Sequence, residues 1–151
     1  MDSSQEYTAS GPTKLERRRK SIEGRIRKDL ITFVKLGDSV RSFARYERLA
    51  RKFKLPYETK ADRDYLDDIL TDICRYEHEH GRSMLSIVVV NEEFTPGLRF
   101  SVIAKQLKRQ KPTESDNEFI SRERAELFEY WWKTHKDPIR KERRESKSRG
   151  R

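Results

Sequence analysis

The apolar positions between Tyr65 and Leu107 change their period twice, and the flanking segments are arranged around that change. Tyr65, Leu66, Ile69, Leu70, Ile73 and Cys74 recur at three- and four-residue intervals, the spacing of one helix face. Asp62, Asp64, Asp67, Asp68 and Asp72 fall on the opposite side, which should meet water. Thr59 followed by Asp62 reads as a capping box, and acidic first turns suit the positive end of the helix dipole. Gly81 stands where a left-handed residue would close the helix. From Leu85 to Val90 the chain is apolar and mostly β-branched except for Ser86, which predicts a strand buried on both faces. Each such side chain is worth roughly 1.5–3 kcal/mol when buried, so the run supplies on the order of 10 kcal/mol, comparable to the net stability of a domain. Pro96-Gly97 predicts a type II turn with the glycine at positive φ. A brief strand near Leu98–Phe100 and a helix from Ser101 to Arg109 are expected beyond it.

Three further helices flank this centre. Ile22, Ile26, Leu30, Phe33 and Val34 keep helical spacing up to Gly37, with Arg17-Arg18-Arg19-Lys20 opening that helix or preceding it. Asp38 or Ser39 can cap a second helix whose buried side is Val40, Phe43, Ala44, Leu49, Ala50 and Phe53. Its other side is cationic, with Arg41, Arg45, Arg48, Arg51, Lys52 and Lys54, and Leu55-Pro56 ends it. A last helix runs from about Glu118 or Ser121 to His135, with Phe119, Ala125, Leu127, Phe128, Trp131 and Trp132 on its apolar face. The expected fold class is α+β, mostly helical: about five helices around a short buried strand or hairpin, with a winged-helix-like arrangement as a variant.

Composition adds ends to this picture. Of 151 residues, 40% are charged and 33% apolar, too few apolar groups to bury the whole chain. We expect a disordered basic arm over residues 1–20, a single domain over 21–137, and a disordered basic tail over 138–151. Net charge is +9 with a sequence pI near 9.7. Residues 1–37 hold nine basic and five acidic groups, residues 38–110 fourteen and twelve, and residues 111–151 twelve and nine. Positive charge therefore gathers at the two ends and on the second helix. The lone Cys74 excludes an internal disulfide framework and fits a reducing cytoplasm. No apolar run reaches the ~18–20 residues of a membrane span, so no membrane partner is expected.

The run Leu70-…-Ile73-…-Tyr76-Glu77-…-Gly81-Arg82-Ser83-Met84-Leu85-Ser86-…-Val88-Val89-Val90-…-Pro96-Gly97-…-Phe100 resembles a block in a family of small bacterial proteins. A similar block, G-x-P-x-L-(S/T)-x-x-V-V…P-G-x-G-F, occurs in or beside HNH-type restriction endonucleases. Ser83 stands where the family has proline, and Arg99 where it has its second turn glycine. The resemblance implies a bacterial defence or mobile-element setting. A fainter one is to alkyltransferase-like winged-helix proteins, through Arg48-Leu49-Ala50 and Val88-Val89-Val90. Their reactive-thiol motif is absent, because Leu85-Ser86-Ile87 occupies that region, and Asp67, Asp68 and Asp72 would repel phosphates in their docking mode.

Candidate chemistry is sparse. In Glu77-His78-Glu79-His80 the two histidines sit two apart, on nearly opposite sides of a helix, and cannot share one ion. Cys74 and His78 make half a zinc site with no second pair. Glu58-Thr59-Lys60, with Asp38 as a remote acid, resembles half a metal-nuclease motif without the preceding strand. Ser83 and Ser86 lack elbow glycines, no phosphate-binding loop motif is present, and no arginine–aromatic stacking motif for single strands is visible. No catalytic residue, metal or cofactor is expected. Clustered lysine and arginine displace counterions from a phosphate backbone. The expected function is therefore non-enzymatic binding of nucleic acid, DNA first, through Arg17, Arg18, Arg19, Lys20, Arg45, Arg48, Lys52, Arg140, Arg143 and Arg144. The alternatives are a protein-interaction adaptor using the acidic third helix and the tryptophan-rich last helix, and a metal-dependent nuclease.

Overall fold

A computed structural model describes residues 11–37 and 42–134, with the backbone alone for Leu98. Among these residues the order is α1 (Lys14–Leu36), β1 (Ala44–Arg45), α2 (Tyr46–Lys52), α3 (Lys60–Glu79), a 3-10 turn (Leu85–Val88), β2 (Val89–Val90), α4 (Leu98–Gln106) and α5 (Asp116–Thr134). The fold is α+β and mostly helical, with five helices among the described residues around a two-stranded parallel sheet.

Local chemistry accounts for the long helices. Thr13 caps α1: its hydroxyl accepts from Glu16 N at 3.1 Å, while Glu16 Oε2 accepts from Thr13 N at 3.2 Å. The cap places Arg17–Lys20 within the first two turns of α1, so the basic block opens that helix instead of preceding it. Ile22, Ile26, Leu30 and Val34 then point inward along one stripe. The expected box at α3 is present: Thr59 Oγ1 accepts from Asp62 N at 3.1 Å and Asp62 Oδ2 accepts from Thr59 N at 3.0 Å. Gly81 has φ +72° just past the end of α3, as a left-handed closing residue requires.

The apolar run from Leu85 to Val90 is buried throughout but is not one strand. Leu85–Val88 coil into a 3-10 turn, with Ile87 N donating to Met84 O at 3.2 Å. Only Val89 and Val90 extend, pairing in parallel with Ala44 and Arg45. A ladder needs a neighbour, and β1 offers two residues, so other groups of the run are met by the 3-10 turn and, at Ile87 O, by Arg124. α1, α3 and α5 pack onto the turn from three sides. Of the expected strand or hairpin it is the short buried strand that occurs, paired in parallel, and no antiparallel pair that could serve as a wing occurs among the described residues.

Four other expectations change. The second helix begins at Tyr46, so Ala44 belongs to β1 and Phe43 is 37% exposed instead of buried; Asp38, Ser39 and Val40 lie outside the described residues. Gly97 has φ −61° and caps α4, so no type II turn places it at positive φ, and the brief strand near Leu98–Phe100 is the first turn of that helix. Ala125, expected on the apolar face of α5, is exposed. Gly97 is small for a different reason: a Cβ there would lie 2.8 Å from Tyr46 Oη, which accepts from Gly97 N at 3.3 Å. Trp131 and Trp132 are both half-buried, and Trp132 Nε1 donates to Val34 O at 3.0 Å, joining α5 to α1.

Candidate nucleic-acid interface

The arginines divide by what holds them. Arg27 Nε lies 2.5 Å from Glu77 Oε1 and Arg82 pairs with the other oxygen of that carboxylate, which has no solvent exposure. Arg109 grips the equally buried Glu123 with two bonds of 2.7 and 2.8 Å. Arg122 holds Glu114 at 2.7 and 2.9 Å, and its guanidinium lowers the Glu114 carboxyl to about 2. Arg99 pairs with Asp68 and lies 3.5 Å from Asp64. Arg124 is buried in α5, donates to Ile87 O at 3.1 Å and Ser42 O at 2.7 Å, and lies over the Phe43 ring at 4.2 Å. Burial lowers its pKa to about 10. These cations join elements of the fold, and of them Arg99 is the exposed one.

The expected contact residues form a more open group. Arg17, Arg18 and Lys20 are exposed in the first turns of α1; Arg17 Nη1 donates to Pro12 O at 2.9 Å and Lys20 lies 3.4 Å from Glu23. Arg19 points the other way, 2.6 Å from Asp72 and over the Tyr65 ring, so the fold uses its charge. Arg48 is exposed on α2. Lys52 reaches Asp29 on α1. Arg45 lies over the Phe94 ring at 4.5 Å. Arg140, Arg143 and Arg144 lie outside the described residues.

Helical spacing gathers the exposed members. Arg18, Arg25 and Asp29, at intervals of seven and four, share one stripe of α1. The Lys52–Asp29 pair sets α2 beside that stripe, and Arg48 precedes Lys52 by one turn. Arg18 also shares a groove with Lys54 and Leu55. The α1–α2 pair thus carries Arg18, Arg25, Arg48, Lys52 and Lys54, with Asp29 paired to Lys52 and with Glu16 and Asp62 lining the groove that Arg18 shares with Lys54. Arg25 and Lys54 were not among the expected contacts; Arg25 falls seven residues after Arg18, which is the signal that places it.

The acidic face of α3 is largely occupied by the chain's own cations. Asp72 takes Arg19 at 2.6 Å and Arg75 at 3.8 Å; Asp64 takes Lys60 at 3.2 Å. Asp67 is half-buried, and that burial raises its pKa. Cys74 Sγ lies 2.8 Å from Ser86 Oγ in the core, where burial raises the thiol to about 11. His78 Nδ1 lies 3.0 Å from Arg109 Nη1. Among the described residues no group of three or more metal-ligating side chains comes together, and no helix is long and apolar enough to cross a membrane.

No protein-family model, no curated protein and no solved structure matches the chain at a significant score.

Proposed function

We propose that the protein binds nucleic acid without catalysing a reaction, holding the phosphate backbone through the open cationic side of α1 and α2 and through the basic ends of the chain. The observation that carries this reading is the division of the cations. Arg27, Arg82, Arg109 and Arg122 are half-buried and paired with carboxylates of the fold, whereas Arg18, Arg25 and Arg48 stand exposed. Such a surface gives salt-sensitive, sequence-tolerant affinity. A bacterial defence or mobile-element role remains an inference from the sequence resemblance. The test is a gel shift with duplex DNA and RNA across a salt series. Binding should weaken steeply between low and moderate salt, and binding indifferent to salt would refute the reading.

A protein-interaction adaptor is the second reading, favoured by Tyr130, 39% exposed, packing edge-on against Trp131 at the end of α5. The pairing of α3 with Arg19, Arg75 and Arg99 leaves less acidic surface for such a partner. Deleting residues 138–151 separates the two: nucleic-acid affinity should drop, whereas adaptor binding should survive.

A further inference from the structure

Two phenylalanines far apart in sequence meet at the surface beside the cationic side of α2. Phe43 and Phe94 pack edge to face with centroids 6.0 Å apart, and they are 37% and 54% exposed. Arg45 lies over the Phe94 ring at 4.5 Å, and Arg48 follows one turn on. The loop that presents Phe94 is built for it. Asn91 Oδ1 accepts from Glu93 N at 3.0 Å, Thr95 N at 3.2 Å and Thr95 Oγ1 at 3.1 Å, and Asn91 N donates to Thr95 O. Within this closed loop Phe94 has φ +60°, a left-handed conformation that a bulky side chain rarely adopts. The loop therefore holds an apolar ring in water at a backbone cost, where glycine or asparagine would sit without strain.

We infer that Phe94 and Phe43, flanked by Arg45, form a stacking platform for the unpaired bases of single-stranded nucleic acid; this rests on the nucleic-acid reading above and adds the strand type to it. Arg45 covers one face of Phe94 and Arg124 lies over Phe43, so a base would stack on the remaining face of the Phe94 ring while Arg48 meets the phosphates. Duplex bases are already stacked and cannot reach the rings.

The experiment titrates the full chain with a labelled single strand of about 12 nucleotides carrying 2-aminopurine, and in parallel with a duplex. Phe94→Asn suits the left-handed backbone, so the loop should keep its form, and a circular dichroism melt checks this. Phe94→Asn should weaken single-strand binding roughly tenfold and abolish the stacking-induced fluorescence change, leaving duplex affinity unaltered. Phe94→Tyr should retain both signals. Arg18→Glu should weaken single-strand and duplex binding alike. Single-strand affinity unchanged in Phe94→Asn, with duplex binding intact, would overturn the platform and leave the phosphate-binding reading standing. Self-association abolished by Phe94→Asn with single-strand affinity unchanged would assign the rings to a second copy and overturn it too. Failure of the wild-type chain to bind either nucleic acid would remove both readings.

Discussion

Arg27 on α1 donates its Nε–H to Glu77 Oε1 on α3 at 2.5 Å, across fifty residues of sequence, and the accepting carboxylate has no exposed surface. Arg82 donates to the other oxygen, so two cations compensate one buried charge. A desolvated pair adds little net stability over a well-packed apolar pair, yet removing one member of it is costly. Glu77→Ala should therefore destabilise the fold by roughly 3–5 kcal/mol in urea unfolding. Arg27→Ala should cost less, about 1–2 kcal/mol, because Arg82 still answers the carboxylate. Equal effects of the two substitutions would show that Glu77 is not the centre of the network.

Tyr46 and Gly97 form a second long-range joint, fixing the start of α4 against α2. Tyr46→Phe removes a hydrogen bond and should cost about 0.5–1.5 kcal/mol. Gly97→Ala places a methyl 2.8 Å from the hydroxyl oxygen and should cost about 1–3 kcal/mol. In the double variant the clash is relieved, so the combined loss should fall below the sum of the two. Additive losses in denaturant melts would contradict the close approach.

Cys74 is sealed between α3 and the 3-10 turn, and burial raises its thiol from 9.0 to about 11. A folded-state pKa above the unfolded value contributes stability that is complete below pH 9 and is lost as pH rises through 11. Stability should thus decline on the alkaline side at roughly 1.4 kcal/mol per pH unit, and Cys74→Ala should flatten that limb. Burial raises Tyr46 as well, with the same sign at still higher pH. At pH 8 a thiol reagent should modify Cys74 slowly in the native chain and rapidly in urea; rapid native labelling would contradict its burial.

How much of this was legible in the sequence depends on the range of the interaction concerned. The capping box at Thr59 and Asp62, the left-handed Gly81 and the inward stripe of α1 depend on neighbours within a turn or two, and each appears as read. The Leu85–Val90 run was read correctly as buried and wrongly as one strand, because strand length is set by a partner 45 residues away that supplies two residues. Phe43 was assigned to a buried helix face by counting from Val40; the helix starts at Tyr46, so that phase does not apply. Glu77 lies in a run of alternating glutamate and histidine that reads as a solvated helix end, and only the arrival of Arg27 from α1 explains its burial. The Phe43–Phe94 pair spans 51 residues and has no local signature at all.

The central claim is that the open cations of α1 and α2 hold phosphates, and the slope of log affinity against log salt for duplex DNA tests it most directly. Each phosphate contact contributes about 0.9 to that slope. Charge removal at Arg18, Arg25 and Arg48 together should reduce it by roughly three and weaken binding at low salt, whereas Arg27→Ala, which alters a paired interior cation, should leave the slope unchanged. A wild-type slope near zero, or a triple variant with the wild-type slope, would contradict the account.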